Sequence, residues 1–522
     1  LNCGRFKKHK HIKVKKQTIE VNMEILKYFT NNEFLESKTD KFYEVYNPST
    51  GELIAKCPRV LREEIKAVIE NAKKAYEVWS NTPVIKRVQV LYKVRDLVEK
   101  NLDELTMLVA REHGKVWEEA KGDVLKAKEA TELAISMPLL MQGDSLMDAS
   151  TGYDTVLYRE SIGVFAGISP FNFPAMIPMG WMAPNCIAAG NAMVLKVAGA
   201  TPLTSMRFAE LYREAGLPAG VLNIISCDRH DTEELLTNPD VKGISFVGST
   251  KVGRYIYSKG TENGKRVQAL CEAKNHALVL ADAALDRTAA GIINAAFGCA
   301  GERCMALPVV VAEEAIADEL VEKIVAFARK LKVGPAYDKS SKLGPVYSAE
   351  HKKSVENWIE RGIAEGAKLV LDGRGVSVEG FENGFYLGPT VFDRVTREMA
   401  IGCDEIFGPV LSVKRVKDFE EGMAVINSSE FANGSVIYTE SGYYARQFAR
   451  YTHGGMVGIN VGIPVPVGFF PFSGHKHSFF GDLHCLGKDA YRFYTESKTV
   501  TTHWFGEEEK KAQKTSTWDG TI

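Results

Sequence analysis

Cys304 stands in Gly298-Cys299-Ala300-Gly301-Glu302-Arg303-Cys304-Met305-Ala306, just before the apolar run Val309-Val310-Val311. A thiolate, not a thiol, is the nucleophile, and a basic neighbour such as Arg303 favours it. Glycines and small residues around it let the backbone approach a ligand closely. An isolated cysteine is more often a buried hydrophobe, so the other motifs decide. Asn172 lies in Ile168-Ser169-Pro170-Phe171-Asn172-Phe173-Pro174. The prolines fix that loop and leave one amide able to donate to a developing oxyanion, although Asn also serves in plain turns. In Phe246-Val247-Gly248-Ser249-Thr250-Lys251-Val252-Gly253 a strand ends and a helix opens. Ser249 and the free backbone N–H groups there suit a pyrophosphate, or Ser249 is an ordinary cap. In Glu405-Ile406-Phe407-Gly408-Pro409 a carboxylate can accept from ribose hydroxyls, and an aromatic face can pack on a flat ring. Together these residues predict a nucleotide-using oxidoreductase with a cysteine nucleophile. The GxGxxG dinucleotide fingerprint is absent.

These motifs must be positioned by regular elements. Ile65, Val68, Ala72, Ala75 and Val78 recur at helical spacing, and similar patterns run through 86–111 and 117–137. Strand and helix then alternate: a strand over 162–168, a helix over 175–189, a strand over 192–196 and a helix over 202–215, with Thr201 as its expected cap. Strands follow at 221–225 and 243–247. The alternation predicts a parallel sheet with helices on both faces. A second α/β series follows residue 276, with helices near 286–299, 314–331, 348–365, 417–427 and 442–450. Its strands are expected near 309–312, 368–371, 409–414 and 456–460. Two such units imply a ligand cleft between them. Thr155–Arg159 and Lys498–Trp504 alternate outside both series and are expected to pair as a small sheet.

The chain has 522 residues, 65 basic and 66 acidic side chains, and so a formal charge of −1. That length exceeds one core, and that balance gives no reason to expect nucleic acid as a partner. No stretch is long and apolar enough to span a bilayer. Nine cysteines without CxxC pairs or Cys/His clusters argue against a metal site or a disulfide scaffold. They fit a reducing compartment, the cytoplasm or, in a eukaryote, the mitochondrial matrix. Residues 1–22 form a lysine-rich extension expected to be disordered, with Met23 as the natural start, and 506–522 read as a polar tail.

Asn172, Gly190-Asn191 with Lys196, the Phe246–Thr250 segment, Cys304, Glu405 and Pro471-Phe472-Ser473-Gly474-His475-Lys476 occur in the order and spacing of the aldehyde dehydrogenase superfamily. The resemblance covers about 23–505. Ala273-Lys274-Asn275-His276, Gly301–Ala306 and Phe469–Gly474 resemble its CoA-acylating methylmalonate-semialdehyde dehydrogenase branch. The resemblance implies an α/β fold with a Rossmann-like cofactor domain (23–145 and 162–275), a catalytic domain (276–470) and a bridging oligomerisation sheet (146–161 and 485–505). It also implies a homodimer or homotetramer acting on a small aldehyde, with NAD as cofactor and CoA as co-substrate. Cys304 and Asn172 would be catalytic. Lys196 would bond the adenine-side ribose, Ser249 the pyrophosphate and Glu405 the nicotinamide-side ribose, with Phe407 and Phe171 also at the cofactor. Arg303 and Lys126 would face an acidic group on the substrate, Lys126 standing where the branch tends to have arginine.

Two departures bear on the chemistry. Hydrolytic members carry a water-activating glutamate where this chain has Leu270, which favours CoA as acceptor. Glu272, two residues along, is a possible substitute base and the alternative reading is hydrolysis to the free acid. Lys196 is followed by Val197-Ala198-Gly199, without the family's ribose-binding glutamate. Losing that bond removes roughly 0.5–1.5 kcal/mol and weakens discrimination against NADP.

Overall fold

The computed structural model describes residues 24–511. The basic extension and the tail from 512 lie outside the described residues. Two sheets organise the chain. The first has eight strands in the order Phe479–Phe480, Arg266–Leu270, Val241–Val247, Val164–Ile168, Ala192–Lys196, Leu222–Ile225, Tyr28–Thr30, Glu33–Leu35. Its five central strands are parallel. Side chains alternate between two cores. Phe165, Met193 and Leu195 enter one, while Val164, Ala166 and Val194 enter the other, as a strand's twofold period requires. The parallel strands start at Val164–Ile168, wind outward on one side, then return to place Val241–Val247 on the other. The winding therefore reverses between these two strands, where open α/β sheets bind ligands beyond the strand C-termini.

The second sheet has seven strands in the order Lys368–Leu371, Thr390–Asp393, Val410–Val416, Val309–Glu313, His276–Val279, Gly434–Tyr438, Met456–Ile459. All pairings are parallel except that of the first strand. A third, three-stranded sheet joins Ser145–Ser150, Tyr153–Ser161 and Thr495–His503. Thr155 pairs with Thr501 and Arg159 with Ser497, so the two alternating segments do meet.

Three local expectations differ. The helix expected over 175–189 is π-helical at Ile177–Met182 before its α-helical part Ala183–Ala189, and Ala183 N–H reaches back to Pro178 O. Pro184 supplies no N–H, so the regular ladder cannot run through. The pattern over 86–111 is two helices, Val84–Lys100 and Leu102–His113, divided at Asn101. Thr201 does not cap the helix Leu203–Glu214; its hydroxyl bonds Phe171 O. The buried carboxylate of Glu112 caps it instead, accepting from Leu203 N at 2.7 Å and Thr204 N at 2.9 Å. A carboxylate meets both orphan N–H groups and the helix dipole where a hydroxyl meets one.

Candidate active site

The nucleophile loop leaves the helix Leu285–Phe297 through a tight left-handed turn. Cys299, Ala300 and Gly301 have φ of +51°, +53° and +76°. Two residues with side chains in that region cost roughly 1–2 kcal/mol each. Glu119, from the helix Trp117–Ala134, offsets the cost. One of its oxygens accepts from Cys299 N at 2.9 Å and from Arg303 Nη2 at 2.7 Å. Gly301 has no substitute: a Cβ there would lie 2.1 Å from Gly408 O. That close approach sets the Cys304 loop against the Glu405–Pro409 loop. Beyond the turn, Asn275 Nδ2 and Asn433 Nδ2 both donate to Cys304 O, at 3.0 and 3.2 Å.

Cys304, Arg303, Glu405 and Phe407 line one small cavity with Ala273 and Gly301. Phe407 has φ +57°, and His351 Nε2 donates to its carbonyl at 2.7 Å. Phe171 stands edge-on to Phe407 with ring centroids 5.9 Å apart, and stacks on Tyr347 at 3.8 Å. Glu405 Oε1 accepts from Ala273 N at 3.0 Å. Burial pushes its carboxyl up to about 8, helped by the charge of Glu272.

Asn172 is 3% exposed. Its Nδ2 donates to Glu302 O at 3.1 Å, two residues before the thiol, and its Oδ1 is buried with no partner. One amide N–H therefore fixes the side chain while the second remains available. The loop itself is pinned from below. Lys115 Nζ donates to Asn172 O at 2.5 Å and pairs with Asp123 at 3.3 Å, and Asp123 accepts from Met176 N at 2.7 Å. Both side chains of that pair are 0% exposed. Glu302, His113 and His351 form a buried group beside it, with His113 and His351 3.8 and 3.6 Å from the carboxylate.

Arg303 does not by itself make the thiol acidic. Burial first, and the charge of Glu405 second, push Cys304 up to about 12 in the ligand-free protein. The backbone N–H groups of Cys304 and Met305, and then Arg303, act in the opposite direction without overcoming them. Arg303 is committed to Glu119 and, through Nε, to Cys299 Sγ at 3.2 Å. Below its pKa the thiolate fraction grows with pH, so alkylation of Cys304 by iodoacetamide is expected to rise about tenfold per unit over roughly pH 7–10. Peptide mapping of the alkylated protein measures this; a plateau already reached near pH 8 would contradict it.

At the reversal point of the first sheet lies a cavity of 380 Å³. Lys196 and Ser249 line it together with Tyr43, Phe246, Arg229 and Val252. The walls are largely aromatic and aliphatic, with Lys196, Arg229 and Ser249 among them, which suits an adenosine. Gly199 sits directly beneath Tyr43: a Cβ there would be 2.2 Å from the ring. Tyr43 thus occupies the space a larger side chain at 199 would need. Leu270 is buried at the end of its strand, and its carbonyl accepts from Gly248 N at 3.0 Å. Glu272 accepts from Thr250 N at 3.0 Å. Lys126 is on the exposed face of its helix, paired with Glu129 at 2.6 Å; the structure does not bring it into the Cys304 cavity.

Sequence reasoning missed Glu119, Lys115, Asp123 and Asn433. Asp123 did carry a signal, lying in register with the buried Ala120, Ala127 and Ala130.

A cysteine just past a strained turn, an amide bonded behind it and a cavity at a sheet reversal point are the parts a cysteine-dependent dehydrogenase needs. The chain belongs to the aldehyde dehydrogenase family, whose model matches residues 34–500. Within it the chain is 49% identical over 482 residues to malonate-semialdehyde dehydrogenase 2 of Bacillus thuringiensis subsp. konkukian (strain 97-27), covering 92% of this chain and 98% of that protein. The crystal structure of methylmalonate-semialdehyde dehydrogenase from Oceanimonas doudoroffii superposes with TM-score 0.91 at 41% identity, covering 94% of this chain and 100% of that one. A Sinorhizobium meliloti 1021 structure complexed with NAD matches equally, with TM-score 0.91, 41% identity, 93% of this chain and 99% of that chain. No helix among the described residues is long and apolar enough to cross a membrane.

Proposed function

We propose that the protein oxidises a short acidic semialdehyde, malonate or methylmalonate semialdehyde, and transfers the acyl group from Cys304 to CoA. The observation that carries this is that Cys304, Arg303, Glu405 and Phe407 share one cavity. The names of the similar proteins support the substrate class.

In this reading Cys304 loses its proton to solvent and adds as the thiolate to the aldehyde carbon, the carbonyl π bond opening onto oxygen. The second N–H of the Asn172 amide and the backbone N–H of Cys304 receive the negative oxygen. Re-formation of the carbonyl expels hydride and leaves a thioester on the sulfur. A nicotinamide dinucleotide supplies the acceptor for that hydride. Lys196 and Ser249 would hold its adenosine and pyrophosphate, and Glu405, Phe407 and Phe171 its nicotinamide side. NAD is the first choice; without a carboxylate at 199, and with Arg229 in the cavity wall, NADP is tolerated. Arg303, held by Glu119, is the cation next to the thiol that suits an anionic aldehyde.

Leu270 offers no proton acceptor to activate water, whereas CoA carries a thiol that ionises far more readily. The apolar side chain at 270 supports thiolysis over hydrolysis. The strand Thr495–His503, largely exposed at the edge of its sheet, supports assembly with further copies of the chain. The domain limits given above remain part of this reading.

The test uses malonate semialdehyde and NAD. One equivalent of NADH per active chain is expected as a burst, with steady turnover only after CoA is added. Equal turnover in the absence of CoA would establish hydrolysis instead.

A further inference from the structure

Glu272 holds a position where an anion belongs. Its Oε2 accepts from the backbone N–H of Thr250 at 3.0 Å, the first residue of the helix Thr250–Glu262, whose N-cap Ser249 makes no side-chain cap bond. The N-terminus of a helix presents free N–H groups and about half a positive charge, and it takes anions for that reason. Gly248, Ser249, Lys251 and Val252 from this same turn line the 380 Å³ cavity with Lys196. Glu272 is fixed there from behind. Its carbonyl accepts from Ser478 Oγ at 2.7 Å, and Cys271 N donates to Ser478 O at 2.8 Å. Cys271 Sγ also packs so closely on the helix that a Cβ at Gly253 would lie 2.3 Å from it. The charge of Glu272 also acts on Glu405 and raises its pKa.

We propose that Glu272 is an internal substitute for the cofactor's pyrophosphate: it caps the helix in the free protein, and the dinucleotide must displace it. The inference rests on the dinucleotide reading above and extends it. One N–H cannot serve both anions. Apparent cofactor affinity is therefore reduced by the fraction of molecules in which Glu272 occupies the seat. The reduction falls on the pyrophosphate and spares the adenosine.

The experiment measures binding of NADH by fluorescence, and of ADP-ribose and adenosine by calorimetry, to the full chain, Glu272→Gln and Glu272→Ala. NADH and ADP-ribose are expected to bind Glu272→Ala about tenfold more tightly, the size of one competing hydrogen bond. Glu272→Gln, which keeps an acceptor but loses the charge, should gain less. Adenosine affinity should not change. The unliganded alanine variant should melt a few degrees lower, since it has lost its cap. A merely structural role would lower stability without tightening the cofactor. Wild-type NADH binding that neither substitution tightens overturns the proposal and leaves the dinucleotide reading standing. Failure of all three proteins to bind NADH or ADP-ribose overturns that reading and the proposal with it. If Glu272→Ala does not fold, Glu272→Gln decides by the same comparison.

Discussion

Cys304→Ala is expected to lose NADH formation from malonate semialdehyde by a factor on the order of 10⁵ or more, with NADH binding unchanged within about twofold. The size follows from the absence of a replacement. Cys299 is the nearest thiol in sequence, but it lies under the turn with its sulfur accepting from Arg303. Burial holds it up at about 11 despite that contact. Its backbone is also tied to Glu119 in the left-handed turn, so it cannot rotate to the position of Cys304. Two measurements check the prediction: steady-state kcat, and mass spectrometry of the protein after aldehyde and NAD. The wild type should carry an acyl adduct on the Cys304 peptide and the variant none. Residual turnover within a hundredfold of wild type would mean that another group forms the thioester.

Asn172→Ala should slow the NADH burst by about 10²–10³, the effect of removing one donor from a developing oxyanion. The side chain also holds Glu302 O, so some stability should be lost, about 1 kcal/mol for one hydrogen bond. The two effects separate by readout. A thermal melt reports the contact with Glu302, and stopped-flow acylation under saturating aldehyde reports the transition state. The unpartnered Oδ1 argues that Asn172 is placed for its donors. A burst slowed by less than tenfold, alongside a lowered melting temperature, would reduce Asn172 to a loop fastener.

Much of this architecture could be read from the chain. The alternation of strand and helix from 162 to 247 is plain because fully buried parallel strands are short apolar runs between turn residues. Thr390–Asp393 and Gly434–Tyr438 escaped notice, since segments of four or five residues do not distinguish a strand from part of a loop or helix. The loops bearing Cys304, Asn172, Ser249 and Glu405 announced themselves through glycines, prolines and motif order. What held those loops did not. Glu119 and Lys115 look like ordinary charges beside amphipathic helices, and only the folded chain brings them to Cys299 N and Asn172 O. The same blindness affected acidity. A neighbouring arginine is visible in sequence, whereas desolvation of Cys304 depends on everything packed around it.

The lysine and aspartate beneath the Asn172 loop carry an evolutionary consequence. Removing one member of a fully buried ion pair strands its partner's charge, at about 3–5 kcal/mol, whereas exchanging both for apolar residues is often neutral. Positions 115 and 123 are therefore locked to each other. A lineage can leave this pairing only by crossing a deep fitness valley or by changing both codons nearly at once, and any descendant that has done so must have found another anchor for the Asn172 carbonyl.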